Sequence, residues 1–233
     1  MLSIPHRATS LISPLLLLLL LPAGCGRKED DASNVQAPAA YRSGASIYES
    51  CLLCHSTREM QRGPILDGLP AWYVEDQLRK FQQGLRGHNP TNRAEILMGS
   101  TIGQLQSMQD IRAVARHIQS LPVPDHLLTV RGDATRGQQL YLGCVPCHGE
   151  TGQGNHSRNG PPLAGLEDWY QLDQLRKYKE GLRGYDPADT NGVVMAAAVS
   201  GWSDQDLRDV VHYTARLRKM GELPAAEGTE PSP

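Results

Sequence analysis

Apolar residues recur along this chain at helical spacing, and they do so twice. In residues 72–87, Leu78, Phe81 and Leu85 stand at i, i+3 and i+7; in residues 169–184, Leu175, Tyr178 and Leu182 repeat the register. Each set is one face of an amphipathic helix, which Gly87 and Gly184 are expected to end. A second face follows in each half: Ile111, Val114, Ala115 and Ile118 in one, Leu207, Val210, Val211 and Thr214 in the other. Ser107 with Asp110, and Ser203 with Asp206, have the spacing of capping boxes opening those helices. Pro122 and Pro224 keep the chain from continuing as helix.

The two halves align. Gly44, Ile47 and Tyr48 match Gly137, Leu140 and Tyr141 at an offset of 93. Four extra residues in the loop after His148 then raise the offset to 97, so that Gly63-Pro64 pairs with Gly160-Pro161. WYVEDQLRKFQQGLRG and WYQLDQLRKYKEGLRG are identical at 11 of 16 positions, which duplication explains. The expected organisation is one unit at 41–121, a short proline-containing linker at 122–133, a second unit at 134–220, and a disordered tail at 221–233.

The N-terminus reads as an export signal, residues 1–24, with Arg7 before an apolar run at 11–21 that is too short to span a membrane. It resembles a bacterial lipoprotein signal: Gly24-Cys25 would make Cys25 the lipidated first residue, although Pro22 stands where that motif usually has Leu. An ordinary secretory signal is the alternative. Residues 25–40 are polar and without periodicity, a tether or lipid-anchored spacer. The whole chain has 23 basic and 25 acidic residues, and removing residues 1–24 costs one Arg, giving 22 − 25 = −3. Nothing here suggests nucleic acid. With 39% hydrophobic and 5% aromatic residues, units of roughly 80 residues have thin cores, which a large buried prosthetic group would fill.

The chemistry lies in two CxxCH motifs, Cys51-Leu52-Leu53-Cys54-His55 and Cys144-Val145-Pro146-Cys147-His148. Two thiols on one helical turn can bond the two vinyl groups of one porphyrin, with the adjacent His beneath the iron. The cofactors are therefore two haem c groups, attached at Cys51, Cys54, Cys144 and Cys147. The sixth ligand decides function, because His with Met closes the iron and His alone leaves it open. Past His148 the methionines are Met195 and Met220, and Met195 precedes the terminal helix in a run of small residues. Among Met60, Met98 and Met108, Met98 aligns with Met195 at the offset of 97. The axial pairs are thus His55 with Met98 and His148 with Met195. His88, His117, His126, His156 and His212 do not recur between halves and read as surface or packing residues, with His156 the alternative ligand.

The duplicated pattern resembles the dihaem cytochromes c of the cytochrome c4 family and, more broadly, class I cytochromes c, over about residues 40–220. The resemblance implies an all-α fold of two tandem class I cytochrome c domains, each wrapped around one covalently bound haem. It implies that the Pro64 and Pro161 carbonyls orient His55 and His148, that Tyr48 and Tyr141 pack the first helix of each half on the last, and that Trp72, Tyr73, Trp169 and Tyr170 line haem edges. Arg79, Arg86, Arg176 and Arg183 suit either propionates or a solvated helix face, the solvated face being favoured. The loop after His55, STREMQRG, lacks the glycine-rich run that follows His148.

The expected function is a periplasmic electron carrier, not an enzyme, passing single electrons between a membrane donor complex and a terminal acceptor such as an oxidase. A second reading makes it the electron-accepting haem subunit of a dehydrogenase. A third is an open-haem redox enzyme, and a fourth joins the two CxxC pairs in one zinc site.

Overall fold

The computed structural model describes residues 42–57 and 61–218. The signal, the tether with Cys25, Met60, Met220, Pro224 and the tail lie outside the described residues.

Among the described residues the chain is helical, with one isolated bridge between Asn155 and Gly160 and no strand. The first half contains α1 (Gly44–Cys51), α2 (Ala71–Gln82), α3 (Arg93–Thr101) and α4 (Met108–Ser120); the second contains α5 (Ala134–Tyr141), the one-turn α6 (Val145–His148), α7 (Asp168–Lys179), α8 (Thr190–Val199) and α9 (Asp204–Thr214). In both halves the first helix crosses the last, α1 on α4 and α5 on α9. Gly44 and Gly137 occupy the crossing points, where a Cβ would strike the partner helix's backbone.

The apolar faces read from the sequence form the cores. Ile111, Val114, Ala115 and Ile118 are buried with Ile47, Tyr48 and Phe81. Leu207, Val210 and Val211 are buried with Tyr141, Leu172 and Val199. Tyr48 meets His117 edge-on at 5.5 Å between centroids, and Tyr141 meets Tyr213 at 5.6 Å.

Two local expectations are corrected. Helices α2 and α7 are ended not by Gly87 and Gly184 but by the glycines three residues earlier, because Gly84 (φ 75°) and Gly181 (φ 67°) take the left-handed conformation first. The amide of Leu182 returns to Lys177 O at 2.8 Å and that of Gly181 to Tyr178 O at 3.3 Å, closing the helix as a Schellman motif. Leu85 and Leu182 therefore lie beyond the helices. The capping box is complete in α9, where Asp206 N donates to Ser203 Oγ (3.1 Å) and Ser203 N to Asp206 Oδ2 (3.0 Å). In α4 only half of it forms. Asp110 N donates to Ser107 Oγ, while the Asp110 carboxylate accepts from Gln106 N and Arg42, each at 3.0 Å.

Residues 122–133 form no helix and are tied to the second half. Thr129 N and Val130 N donate to Asp168, and His212 Nδ1 donates to Val130 O at 2.9 Å. No helix among the described residues is long and apolar enough to cross a membrane.

Candidate functional site

Each CxxCH motif folds as one helical turn. The amide of His55 donates to Cys51 O at 3.0 Å, and that of His148 to Cys144 O at 2.9 Å. This places both cysteines and the histidine of each motif on adjacent positions at the end of a short helix. All four cysteines are half-buried and free of disulfides. Burial raises the Cys51 thiol above its ordinary range, and burial together with nearby Cys147 pushes Cys144 up to about 11. Among the described residues no three His, Cys, Asp or Glu side chains converge on a metal-holding position.

Both histidines are tied to proline carbonyls: His55 Nδ1 to Pro64 O at 2.6 Å and His148 Nδ1 to Pro161 O at 2.8 Å. A carbonyl only accepts, so Nδ1 carries the proton and the lone pair sits on Nε2. Burial lowers both imidazole pKa values, more than their carbonyl partners offset, keeping the rings neutral. Gly63 makes the first arrangement possible, since a Cβ there would lie 2.5 Å from His55 Cε1.

In the first half Cys51, Cys54, His55 and Met98 line one cavity of about 400 Å³, with Phe81 and Ile102 among its apolar walls. This volume is in the range of small-molecule sites. A histidine with a free Nε2, a thioether, two free thiols and an apolar wall suit a haem c. Met98 comes from α3, and Thr101 Oγ1 lies 3.8 Å from its sulfur. In the second half Cys144, Cys147 and His148 share their turn, and Met195 sits half-buried on α8, the counterpart of α3. Met108 is 39% exposed at the start of α4.

The first cavity is not walled by its own half alone. Trp169, Tyr170 and Gln174 of α7 also line it. Trp72 instead stacks on His156 of the inserted loop, with centroids 4.6 Å apart and planes 17° from parallel.

Arg86 and Arg183 are not on a solvated face. They are 5% and 6% exposed and meet between the halves. Gln77 Oε1 accepts from Arg86 Nη1 (2.7 Å) and Arg183 Nη2 (2.8 Å); Gln174 Oε1 accepts from Arg86 Nη2 (3.1 Å) and Arg183 Nη1 (2.6 Å). The early helix ends turn both arginines inward. Glu95 is the carboxylate of this group, 2.7 Å from Arg86. Burial alone would raise its pKa, but the Arg86 guanidinium more than reverses that. Arg176, by contrast, pairs at the surface with Asp204, and Arg79 is exposed. A signal for this cluster was present in the repeat: Gln77 and Arg86 recur unchanged as Gln174 and Arg183.

Comparison with known proteins follows the same lines. The cytochrome c family pattern matches residues 134–218. A thiosulfate dehydrogenase electron acceptor of Stutzerimonas stutzeri (strain A1501) is 30% identical over 208 residues, 79% of this chain and 89% of that protein. Reduced recombinant cytochrome c4 from Pseudomonas stutzeri has the same fold at a TM-score of 0.59 and 23% identity, over 73% of this chain and 95% of that one. Thiosulfate dehydrogenase from Marichromatium purpuratum is similar at a TM-score of 0.53 and 25% identity, over 71% of this chain and 36% of its own.

Proposed function

Because the chain belongs to the cytochrome c family, its halves built as tandem class I cytochrome c domains, we propose that it holds two haem c groups and carries single electrons in the periplasm. Cys51, Cys54, Cys144 and Cys147 are the attachment points. His55 with Met98, and His148 with Met195, are the residues that would ligate the two irons. The observation that carries the reading is the first-half cavity, where the two thiols, the carbonyl-anchored imidazole and the methionine line one apolar space.

Bound haem c supplies the one-electron chemistry. The protein's residues do the rest. Pro64 and Pro161 hold each imidazole by Nδ1 so that Nε2 is the donor. Phe81 and Ile102 supply apolar wall to the first pocket. A His/Met pair would leave a bound haem iron no open position, and methionine would raise its potential.

A dehydrogenase is the donor favoured here over a membrane complex, because the Stutzerimonas relative, which this chain covers nearly end to end, is an electron acceptor of thiosulfate dehydrogenase. The onward acceptor is a terminal oxidase. Lipidation at Cys25 anchors the protein to the membrane; changing Cys25 to Ser should release it to the soluble fraction.

The test is spectroscopic. The oxidised protein should show a near-infrared methionine–iron charge-transfer band integrating to two per chain, and Met98→Ala and Met195→Ala should each remove half. A single band in the unaltered protein would restore the open-haem enzyme. Thiosulfate with purified thiosulfate dehydrogenase should then reduce both haems; reduction only by a quinol-oxidising membrane complex would return the donor to the membrane.

A further inference from the structure

The proximal histidine of the first half is connected to the second half through one peptide group. His55 Nδ1 donates to Pro64 O at 2.6 Å, and the N–H of that same Pro64–Ile65 peptide donates to Glu167 Oε2 at 2.8 Å. Glu167 precedes α7 in the second half and is 6% exposed. Gln61 Nε2 bonds its two oxygens at 2.7 and 2.8 Å. A buried carboxylate is thus joined to the imidazole by two hydrogen bonds across one conjugated amide.

The amide transmits charge because its nitrogen and carbonyl share electrons. A carboxylate on the N–H shifts density onto the carbonyl oxygen, which becomes a better acceptor for Nδ1–H. A ring whose Nδ1–H is held more strongly is the more basic ligand at Nε2.

The second half cannot build this connection. His148 Nδ1 donates to Pro161 O in the same way, at 2.8 Å. The next residue is Pro162, whose nitrogen carries no hydrogen. At the repeat offset of 97, the position matching Glu167 is Pro70, which has no carboxylate.

We propose that Glu167 is a positioning residue of the second half that strengthens His55 as an iron ligand, through the Ile65 amide and the Pro64 carbonyl, and so holds down the reduction potential of the first haem. The second haem has no equivalent control. This rests on the reading of His55 as an iron ligand.

The experiment is a spectroelectrochemical titration of the full holoprotein, with each haem's signals assigned by their loss in Met98→Ala or Met195→Ala. Glu167→Gln keeps the volume and removes the charge; Ile65→Pro keeps the charge and removes the N–H. Each should raise the first haem's potential and shift the sharing of one electron about threefold or more toward it, a tenfold shift being about 59 mV. The second haem should not move. Gln61→Ala strips two hydrogen bonds from the carboxylate but leaves it charged, and should lower the first potential. It tests the idea independently of how the other variants fold. An unmoved first haem, equal movement of both, or a rise in Gln61→Ala overturns the proposal. Haem is counted in the same samples: fewer than two per chain overturns the parent reading as well, whereas two haems with unmoved potentials overturn this proposal alone.

Discussion

Gly137→Ala sets two well-understood effects against each other. The residue lies inside α5, where Ala is favoured over Gly by about 1 kcal/mol. Against that stands the crossing with α9. A Cβ at 137 would run into Asp209 O and lie 2.7 Å from Asp209 C and 2.8 Å from Tyr213 Cβ. Carbon atoms rest at about 3.5–4.0 Å, so α9 must retreat by about 1 Å. The obstacle is backbone and cannot rotate away. Its retreat would draw Leu207, Val210 and Val211 off Tyr141, all of them buried together. Overpacking costs about 1–3 kcal/mol, and a rigid obstacle puts this site at or just above the upper end, for a net loss of about 2 kcal/mol. Urea unfolding of the holoprotein, followed by far-UV circular dichroism, should show a lower midpoint at unchanged slope. Gly44→Ala should behave alike, since its Cβ would meet Ala113 C at 2.7 Å and His117 Cβ at 2.8 Å. Gly103, with nothing within 4 Å of an added Cβ, is the control expected to be neutral or better. A Gly137→Ala protein as stable as the unaltered one would mean that the crossing is not held by contact at this glycine.

Glu95→Gln should destabilise by about 3–5 kcal/mol, because it leaves Arg86 and Arg183 buried without their carboxylate; a urea-measured loss below about 1 kcal/mol would show that another anion neutralises the pair. The Trp72–His156 stack should give a coupling of about 0.5–1.5 kcal/mol in a double-mutant cycle, and zero coupling would remove it from the account of how the halves hold together. Ser203, with Arg136 behind it, draws Asp206 down to about 2, below an ordinary Asp near about 3.9. The depressed group stabilises the fold above the unfolded value and loses that contribution as pH falls through about 4 toward 2. Asp206→Asn should therefore trail the unaltered protein by about 1 kcal/mol at neutral pH and draw level near pH 2; a constant gap would deny the capping box its charge.

The helices and their buried faces were legible because duplication printed each pattern twice, and an apolar residue at i, i+3, i+4 and i+7 has only one packed solution. The ends of α2 and α7 were not. Leu85 and Leu182 fit the helical period, yet Gly84 and Gly181 reach the left-handed conformation at little cost and stop the helix first. That choice also reverses the expected setting of Arg86 and Arg183, whose charge suggests solvent until the turn aims them at the other half. Met98 was chosen by register alone, and it lines the same cavity as His55. Glu167 was not found, since spacing within a repeat says nothing about a carboxylate crossing from one copy to the other.

The contact between the halves follows from how they arose. Exchange Gln77 with Gln174 and Arg86 with Arg183, and the set of hydrogen bonds maps onto itself. This is the pattern of an isologous contact in a two-fold dimer, here within a single chain. A duplicated domain that could already pack against its own copy needs no new surface, which accounts for polar residues staying identical at buried positions. Two equal haem sites would share an electron evenly. The departures from symmetry lie beside this contact: Glu95 where the repeat has Gly192, Ile65 where it has Pro162, and Glu167 where it has Pro70. Glu95 and Glu167 are buried carboxylates, and both lie on the side of the first cavity, Glu95 in its lining and Glu167 bonded to the loop that holds His55. On the proposal above, the Glu167 charge would favour the oxidised form of the first haem over the second, whereas the Glu95 charge is offset by Arg86 and Arg183, so the asymmetry that duplication lacked would come from a few side chains at the seam.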